Sequence, residues 1–218
     1  MSDAASPLDG LDLPPGFAER VGATPERLAD VESFRAMLAR TNATMNLVGD
    51  STLASFWLRH FVDSAQLLWI DPEVRTWADL GAGAGLPGIV LAILLKGREG
   101  ARVHLVESMA KRCRFLAEVV AALDLPATVH NARAECLTLK VDRVTARACA
   151  PLNRLIGYAE PYLRRGAKAL FLKGEGVEAE LSLARQAWRF TDRTFVSLSD
   201  PRGRVLALSG ISSLGAGR

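Results

Sequence analysis

The 218 residues are 49% hydrophobic and 23% charged, a balance that supports one buried core, and 27 Lys/Arg against 24 Asp/Glu leave a net charge of +3. The longest apolar run, Ile89 to Leu95, is far short of the ~20 residues a membrane-crossing helix needs. Cys113, Cys136 and Cys149 are widely spaced and form no Cys-x-x-Cys pair, which argues against a disulfide framework or a metal site and suits a cytoplasmic protein.

In chain order, residues 1–22 are rich in Pro, Gly and Asp and are expected to be a flexible lead-in, without the basic and apolar regions of a secretory signal. Residues 23–73 read as a helical extension. Thr24-Pro25-Glu26 supplies an N-cap hydroxyl, a proline at the first helical position and an acid near the positive end of the dipole. Leu28, Val31, Phe34 and Leu38 follow at helical spacing, and a second helical segment after Asp50-Ser51 carries Leu53, Phe56, Trp57, Phe61, Leu67 and Leu68.

From residue 74 to 218 short apolar runs alternate with helical stretches, and this unit is expected to pack with 23–73 as one body. Strands are expected at Val74–Leu80, Arg102–Val106, Thr128–His130, Val144–Cys149 and Ala169–Leu172, with helices from Pro87, after Ser108, after Pro151 and after the fifth strand. Alternating strands and helices predict a parallel sheet covered on both faces. Two last runs, Arg193–Leu198 and Arg204–Leu208, have no helix between them, so a hairpin with an antiparallel strand should end the sheet. Charge divides along the same line. Residues 1–73 hold 5 Lys/Arg against 11 Asp/Glu, and 74–218 hold 22 against 13. A basic second half points to a polyanion such as nucleic acid, or only to solubility.

The most informative stretch runs from Asp79 through Gly81, Gly83, Gly85 and Leu86 to Gly88, directly after a strand and opening a helix. That is where an open α/β sheet places ligands, and glycine lets the backbone approach them. Glu107 ends the next strand, placed to accept hydrogen bonds from both ribose hydroxyls of a nucleotide-like ligand. The pattern fits a dinucleotide or S-adenosylmethionine. A carboxylate at Asp79 favours the second, because it suits a cationic amino group and would repel a pyrophosphate. Ala134-Glu135, beyond the third strand, offers a backbone N–H and an acceptor to an adenine edge.

The acceptor is narrowed by exclusion. Where amine methyltransferases place an Asn-Pro-Pro-Tyr type of turn, this chain reads Ala146-Arg147-Ala148-Cys149-Ala150-Pro151. Cys149 lacks the context of a cytosine-C5 nucleophile and reads as a small buried strand residue. Taken together, Asn46-Leu47, Arg59 to Ser64, Asp79 to Gly88, Lys111 to Leu116, Arg147-Ala148 and Leu172 to Gly174 resemble the small-subunit ribosomal RNA methyltransferase G (glucose-inhibited division protein B) family. The resemblance spans about Asn46 to Leu208, with Ala82 where Thr or Ser is common and Glu107 where Asp is frequent.

The resemblance implies a Rossmann-like class I S-adenosylmethionine-dependent methyltransferase. Its seven-stranded sheet would be mostly parallel, with an antiparallel edge strand and an N-terminal helical extension. It implies methylation of guanine N7 in the decoding-region hairpin of 16S ribosomal RNA, in the small subunit or an assembly intermediate. No metal, membrane or obligate protein partner is expected. It also implies S-adenosylmethionine contacts at Gly81, Leu86, Ala134, Glu135 and Arg147. Guanine N7 has a free lone pair, so proximity and orientation suffice without a general base.

Arg147 is then the positioning residue, unless it only forms an ion pair with Asp142 or Glu135. His60 and Asp63 share a helix face with Ser64 and are RNA candidates beside Lys111, Arg112, Arg114, Asn153 and Lys173; a solvated face is the alternative for the basic run. His104 and His130 read as satisfied sheet residues. The other readings are a methyltransferase of another RNA or small molecule, a dinucleotide-dependent oxidoreductase, and a silent nucleotide-binding module.

Overall fold

The computed structural model describes residues 6–215. Helix α1 spans Phe17–Val21, and α2 spans Pro25–Met45, starting where Thr24 Oγ1 accepts a hydrogen bond from Arg27 N–H at 3.4 Å. Val31, Phe34 and Leu38 bury one side of α2. The second helical segment is interrupted. Helix α3, Asp50–Ala54, gives way to a π-helical turn over Trp57–Val62 and then to α4, Asp63–Ile70. Such wide turns shift the side chains that follow them around the helix, and they recur at functional sites.

Seven strands form one sheet: β1 Thr76–Leu80, β2 Arg102–Glu107, β3 Ala127–Asn131, β4 Arg143–Arg147, β5 Lys168–Lys173, β6 Trp188–Val196 and β7 Arg204–Ser213. Their order is β3-β2-β1-β4-β5-β7-β6. The first five are mutually parallel, and β7 runs antiparallel between β5 and β6. The hairpin expected from the sequence is therefore present, with β7 as its antiparallel member and β6 on the outer edge. Both strands are longer than expected, because their pairing continues past the apolar runs, from Trp188↔Ser213 to Val196↔Arg204.

Helices α5 (Gly88–Leu95), α6 (Ala110–Ala122), α7 (Leu152–Leu163) and α8 (Val177–Ala184) cover the sheet. Every residue of α5 is buried, since the sheet lies on one side and α2 and α4 on the other. That explains its unbroken apolar run, and among the described residues no helix is long and apolar enough to cross a membrane. Leu155, Ile156, Ala159 and Tyr162 of α7 fill the opposite face with Leu181 and Ala184 of α8. Strand order reverses between β1 and β4, so the crevice that this topology opens lies over the carboxyl ends of those two strands.

Three local expectations change. Residues 6–22 are not simply a lead-in, because Leu8, Phe17 and Val21 are buried and the Phe17 ring packs 5.9 Å from that of Trp69 on α4. The Pro, Gly and Asp content hid two apolar residues four apart on one turn of helix. Ser108 does not cap α6: the helix starts at Ala110 after Met109, whose N–H is held by Glu107 Oε1 at 2.8 Å. Strand β4 stops at Arg147, because Ala148 turns into a left-handed conformation at φ 50°. Replacing Phe17 by Ala should cost about 3 kcal/mol, the lower end for a buried phenylalanine, read as an earlier urea midpoint; an unchanged midpoint would place α1 outside the cooperative core.

Candidate active site

The loop after β1 is built around left-handed backbone at Gly81 and Gly83, with φ of +70° and +53°. A Cβ at Gly81 would lie 2.7 Å from Cys149 Sγ, so the close approach of this loop to the segment after β4 needs glycine. Two carboxylates hold the loop from below. Asp79 Oδ2 accepts from Gly88 N–H at 2.9 Å, fastening the start of α5 to the end of β1. Glu107 Oε2 accepts from Gly83 N–H at 3.0 Å, and Arg112 Nη1 stands 3.8 Å from the same oxygen.

Asp79 is fully buried, and burial pushes its carboxyl up to about 7 against the opposing pull of Gly88 N–H and Arg147. Its Oδ1 has no partner among the described residues, and neither has Oγ1 of Thr145, its register neighbour on β4. The Asp79 side chain lies under the loop, and its work is to shape that loop.

At the end of β4, Arg147 Nη1 donates to Arg59 O at 3.2 Å, to His60 Nδ1 at 3.0 Å and to Asp63 Oδ2 at 3.4 Å. All three acceptors come from the π-helical turn and the first residue of α4. A guanidinium has no acceptor, so Nδ1 of His60 is unprotonated and Nε2–H donates to Thr52 Oγ1 at 3.1 Å. Burial and the neighbouring Arg147 charge bring the imidazole down to about 4, in agreement with a neutral ring. Asp63 Oδ1 accepts from Ser199 Oγ at 2.7 Å, and Arg59 Nη1 pairs with Asp200 Oδ2 at 2.6 Å, so the β6–β7 connection is bound into the same cluster.

Two cavities flank the end of β4. One, of about 310 Å³, is lined by Gly81, Val106, Ala134, Glu135, Cys149 and Tyr158. The other, of about 450 Å³, is lined by Arg59, His60, Asp63, Arg147, Lys173 and Asp200. Both fall within or near the ~300–1,000 Å³ of small-molecule sites. The turn at Ala148 divides them: Arg147 and Ala148 face the larger cavity and Cys149 the smaller.

The family model for rRNA small subunit methyltransferase G matches residues 27–207. The chain belongs to this family. It is 61% identical over 197 residues to the Ribosomal RNA small subunit methyltransferase G of Caulobacter vibrioides (strain NA1000 / CB15N), covering 90% of this chain and 91% of that one. With the protein of that name from Caulobacter sp. (strain K31) it shares 58% over 208 residues, 95% and 92% of the two chains. Among solved structures, a mutant of MtNAS in complex with S-adenosylmethionine superposes with a TM-score of 0.55 at 19% identity, covering 84% of this chain and 76% of that one. M. jannaschii TYW2 in complex with AdoMet gives 0.50 at 14%, covering 70% and 77%. These two likenesses concern the fold, a Rossmann-like methyltransferase sheet.

In this small-subunit rRNA methyltransferase the residues singled out from sequence separate into groups. Gly81, Ala134 and Glu135 meet at the smaller cavity, and His60, Asp63, Arg147 and Lys173 at the larger. Gly85 and Leu86 pack under the loop, the latter buried. Lys111 and Arg114 are exposed on α6 and line neither cavity. Asn153 is drawn away to Trp188, whose Nε1–H donates to its Oδ1 at 2.9 Å.

Arg147 pairs with Asp63 rather than Asp142 or Glu135, for Asp142 accepts from Thr76 and Glu135 lies 3.8 Å from Arg133. Cys149 is exposed, not buried in a strand, and partial burial of its thiol with the Asp79 and Glu107 charges pushes its pKa up, which leaves a poor nucleophile. His104 and His130 contact one another at 2.9 Å, as satisfied sheet residues. Sequence reasoning missed Thr52, Ser199 and Asp200. The polar Ser197–Gly203 connection was the available signal, but its partner Arg59 lies 141 residues away.

The buried Asp79 has a pH consequence. Its folded pKa, about 7, stands above the ordinary 3.8, so the folded state holds a proton that the unfolded state has released, and stability falls as pH rises from about 4 to 7. Asp79→Asn keeps an acceptor for Gly88 N–H and carries no charge. Relative to this variant, the wild type should lose up to about 1.4 kcal/mol per pH unit across that window. Parallel stability profiles from chemical denaturation would remove the assignment.

Proposed function

We propose that the chain transfers a methyl group from S-adenosylmethionine to N7 of one guanine in the decoding-region hairpin of 16S ribosomal RNA. Its substrate is the small subunit or an assembly intermediate, and its place of action is the cytoplasm. The observation that carries this reading is Arg147, fixed by three acceptors on the wall between two cavities at the topological switch point.

The smaller cavity suits the methyl donor. Its floor is the Gly81 backbone, its far side is Ala134-Glu135, and Glu107 is anchored beneath through Gly83 and Met109. Each Glu107 oxygen accepts one backbone N–H and keeps a second lone pair, so ribose hydroxyls can be added without breaking the loop. S-adenosylmethionine, when bound, supplies an electrophilic methyl carbon and a thioether leaving group.

The larger cavity then receives the base. Its ionisable groups are already committed: Asp63 to Arg147 and Ser199, Lys173 Nζ to Glu180 at 2.7 Å, and His60 Nδ1 to Arg147. None is free to act as a general base. An N7 lone pair needs none, whereas an exocyclic amine or a C5 carbon must lose a proton. What these residues supply is orientation, which in well-placed reactions accounts for ~7–11 kcal/mol of barrier. The thiol of Cys149, held protonated, does not support a cytosine-C5 route.

Labelled methyl transfer to small subunits from cells lacking the protein, followed by nucleoside analysis, tests the reading. The label should appear as 7-methylguanosine; label in another nucleoside, or efficient methylation of free GTP, would replace it. Arg147→Ala should lower single-turnover transfer about 100-fold, the cost of a displacement near 1 Å. It should also cost roughly 1.5–3 kcal/mol of stability through lost charge-assisted hydrogen bonds. Arg147→Lys should recover little of the rate, since one ammonium cannot replace a planar guanidinium. Near-normal transfer by the alanine variant would reduce Arg147 to a structural brace.

A further inference from the structure

Between α4 and the outer edge of the sheet, the face of β5, β7 and β6 is covered over Leu170, Leu172 and Val205 but leaves a gap toward its edge. The gap is a groove of about 500 Å³ at the amino ends of β4 and β5, lined by Trp69, Asp71, Arg143, Lys168, Arg193 and Phe195. It is the opposite end of β5 from the candidate active site. Lys168 opens that strand and Lys173 closes it at the larger cavity, about 17 Å away at the usual rise per residue.

The charges of the groove do not cancel. Asp71 is neutralised by Arg143 at 2.7 Å, and Asp192 by Arg185 at 2.7 Å. Lys168 and Arg193 are exposed and have no carboxylate within ion-pair distance among the described residues, and the same holds for Arg20 at the rim. Two of these cations lie over aromatic rings. Arg193 lies 4.6 Å over Phe195, and Arg20 lies 4.8 Å over Trp69, where its Nε–H also donates to Trp69 O. A guanidinium drawn onto a ring keeps its charge and N–H groups free to meet a phosphate.

We propose that this groove is a second docking site for the substrate ribosomal RNA, holding backbone phosphates remote from the methylated base. The proposal rests on the RNA substrate assigned above. Three unneutralised cations on one concave face match a polyanion, and phosphate contacts fix register without reading sequence. A hairpin anchored here and at the larger cavity is held at two points, which sets which nucleotide reaches Arg147.

The test uses the full chain carrying Lys168→Glu with Arg193→Glu, and a milder pair, Lys168→Gln with Arg193→Gln. Both residues are exposed and outside the candidate active site, and S-adenosylmethionine affinity reports that each variant is folded. Affinity for small subunits should fall at least tenfold in the reversal pair and less in the neutral pair. The slope of log affinity against log salt should become shallower by about 2, one step per lost phosphate contact. KM for the ribosomal substrate should rise while kcat stays within twofold. Unchanged affinity and slope in folded variants would overturn the proposal. So would an equal loss of binding to heparin with KM unmoved, which would reveal a general charge effect only. If the unmodified protein binds small subunits through this groove yet labels no guanine, the docking site stands and the assigned reaction fails. If it labels guanine and the reversal pair changes nothing, the reverse is true.

Discussion

One guanidinium joins two parts of the chain that are distant in sequence. Arg147 ends a central strand, and its three acceptors lie on the turn between α3 and α4. Without it, the wall between the two cavities would have a free end, and the end of β4 would lose its polar tie to the N-terminal helices, which would then reach the sheet through apolar packing and more peripheral pairs such as Asp71–Arg143. Apolar packing is tolerant of small shifts, while charge-assisted hydrogen bonds converging on one guanidinium nitrogen are directional. The bond to His60 also requires a neutral ring, which burial ensures. The brace therefore holds at neutral pH without any proton being exchanged within it.

The acidic residues show how burial redistributes roles within a motif. Asp79 and Glu107 both end strands beside the glycine loop, and from sequence both look like ligand contacts. Glu107 reaches the loop backbone through Gly83 and Met109 and retains spare lone pairs. Asp79 is sealed beneath α5, where a charge is costly and a hydrogen bond to Gly88 is all it makes. That depth suits it to fix the angle between β1 and α5.

Much of this architecture was legible because it follows local periodicity. Alternating apolar runs marked the strands, Thr24-Pro25 marked the start of α2, and the glycines after β1 marked the crevice. Three features were not, each because a non-local contact decides it. The seventh strand outruns its apolar segment, since backbone pairing with β6 holds polar residues such as Ser212 and Ser213 in the sheet. Phe17 and Val21 appeared to belong to a tail, since their partners on α4 lie some fifty residues further on. The sequence neighbours of β4 offer Asp142 and Glu135 as partners for Arg147, while the π-helical turn, invisible in a 3.6-residue pattern, brings Asp63 instead.

The late return of the chain to its own beginning has a temporal side. The larger cavity is walled on one side by residues 47–63 and on the other by the connection at 197–203, and the ion pair between Arg59 and Asp200 spans 141 residues. At about 5–20 residues per second, translation needs roughly 7–28 s to cover that distance. Throughout that interval the growing polypeptide carries half of a binding cleft, with Arg59 facing water. An enzyme that modifies ribosomal RNA is itself made on ribosomes, amid that same RNA. The cleft is complete only when the connection between the last two strands of the sheet meets Arg59 and Asp63.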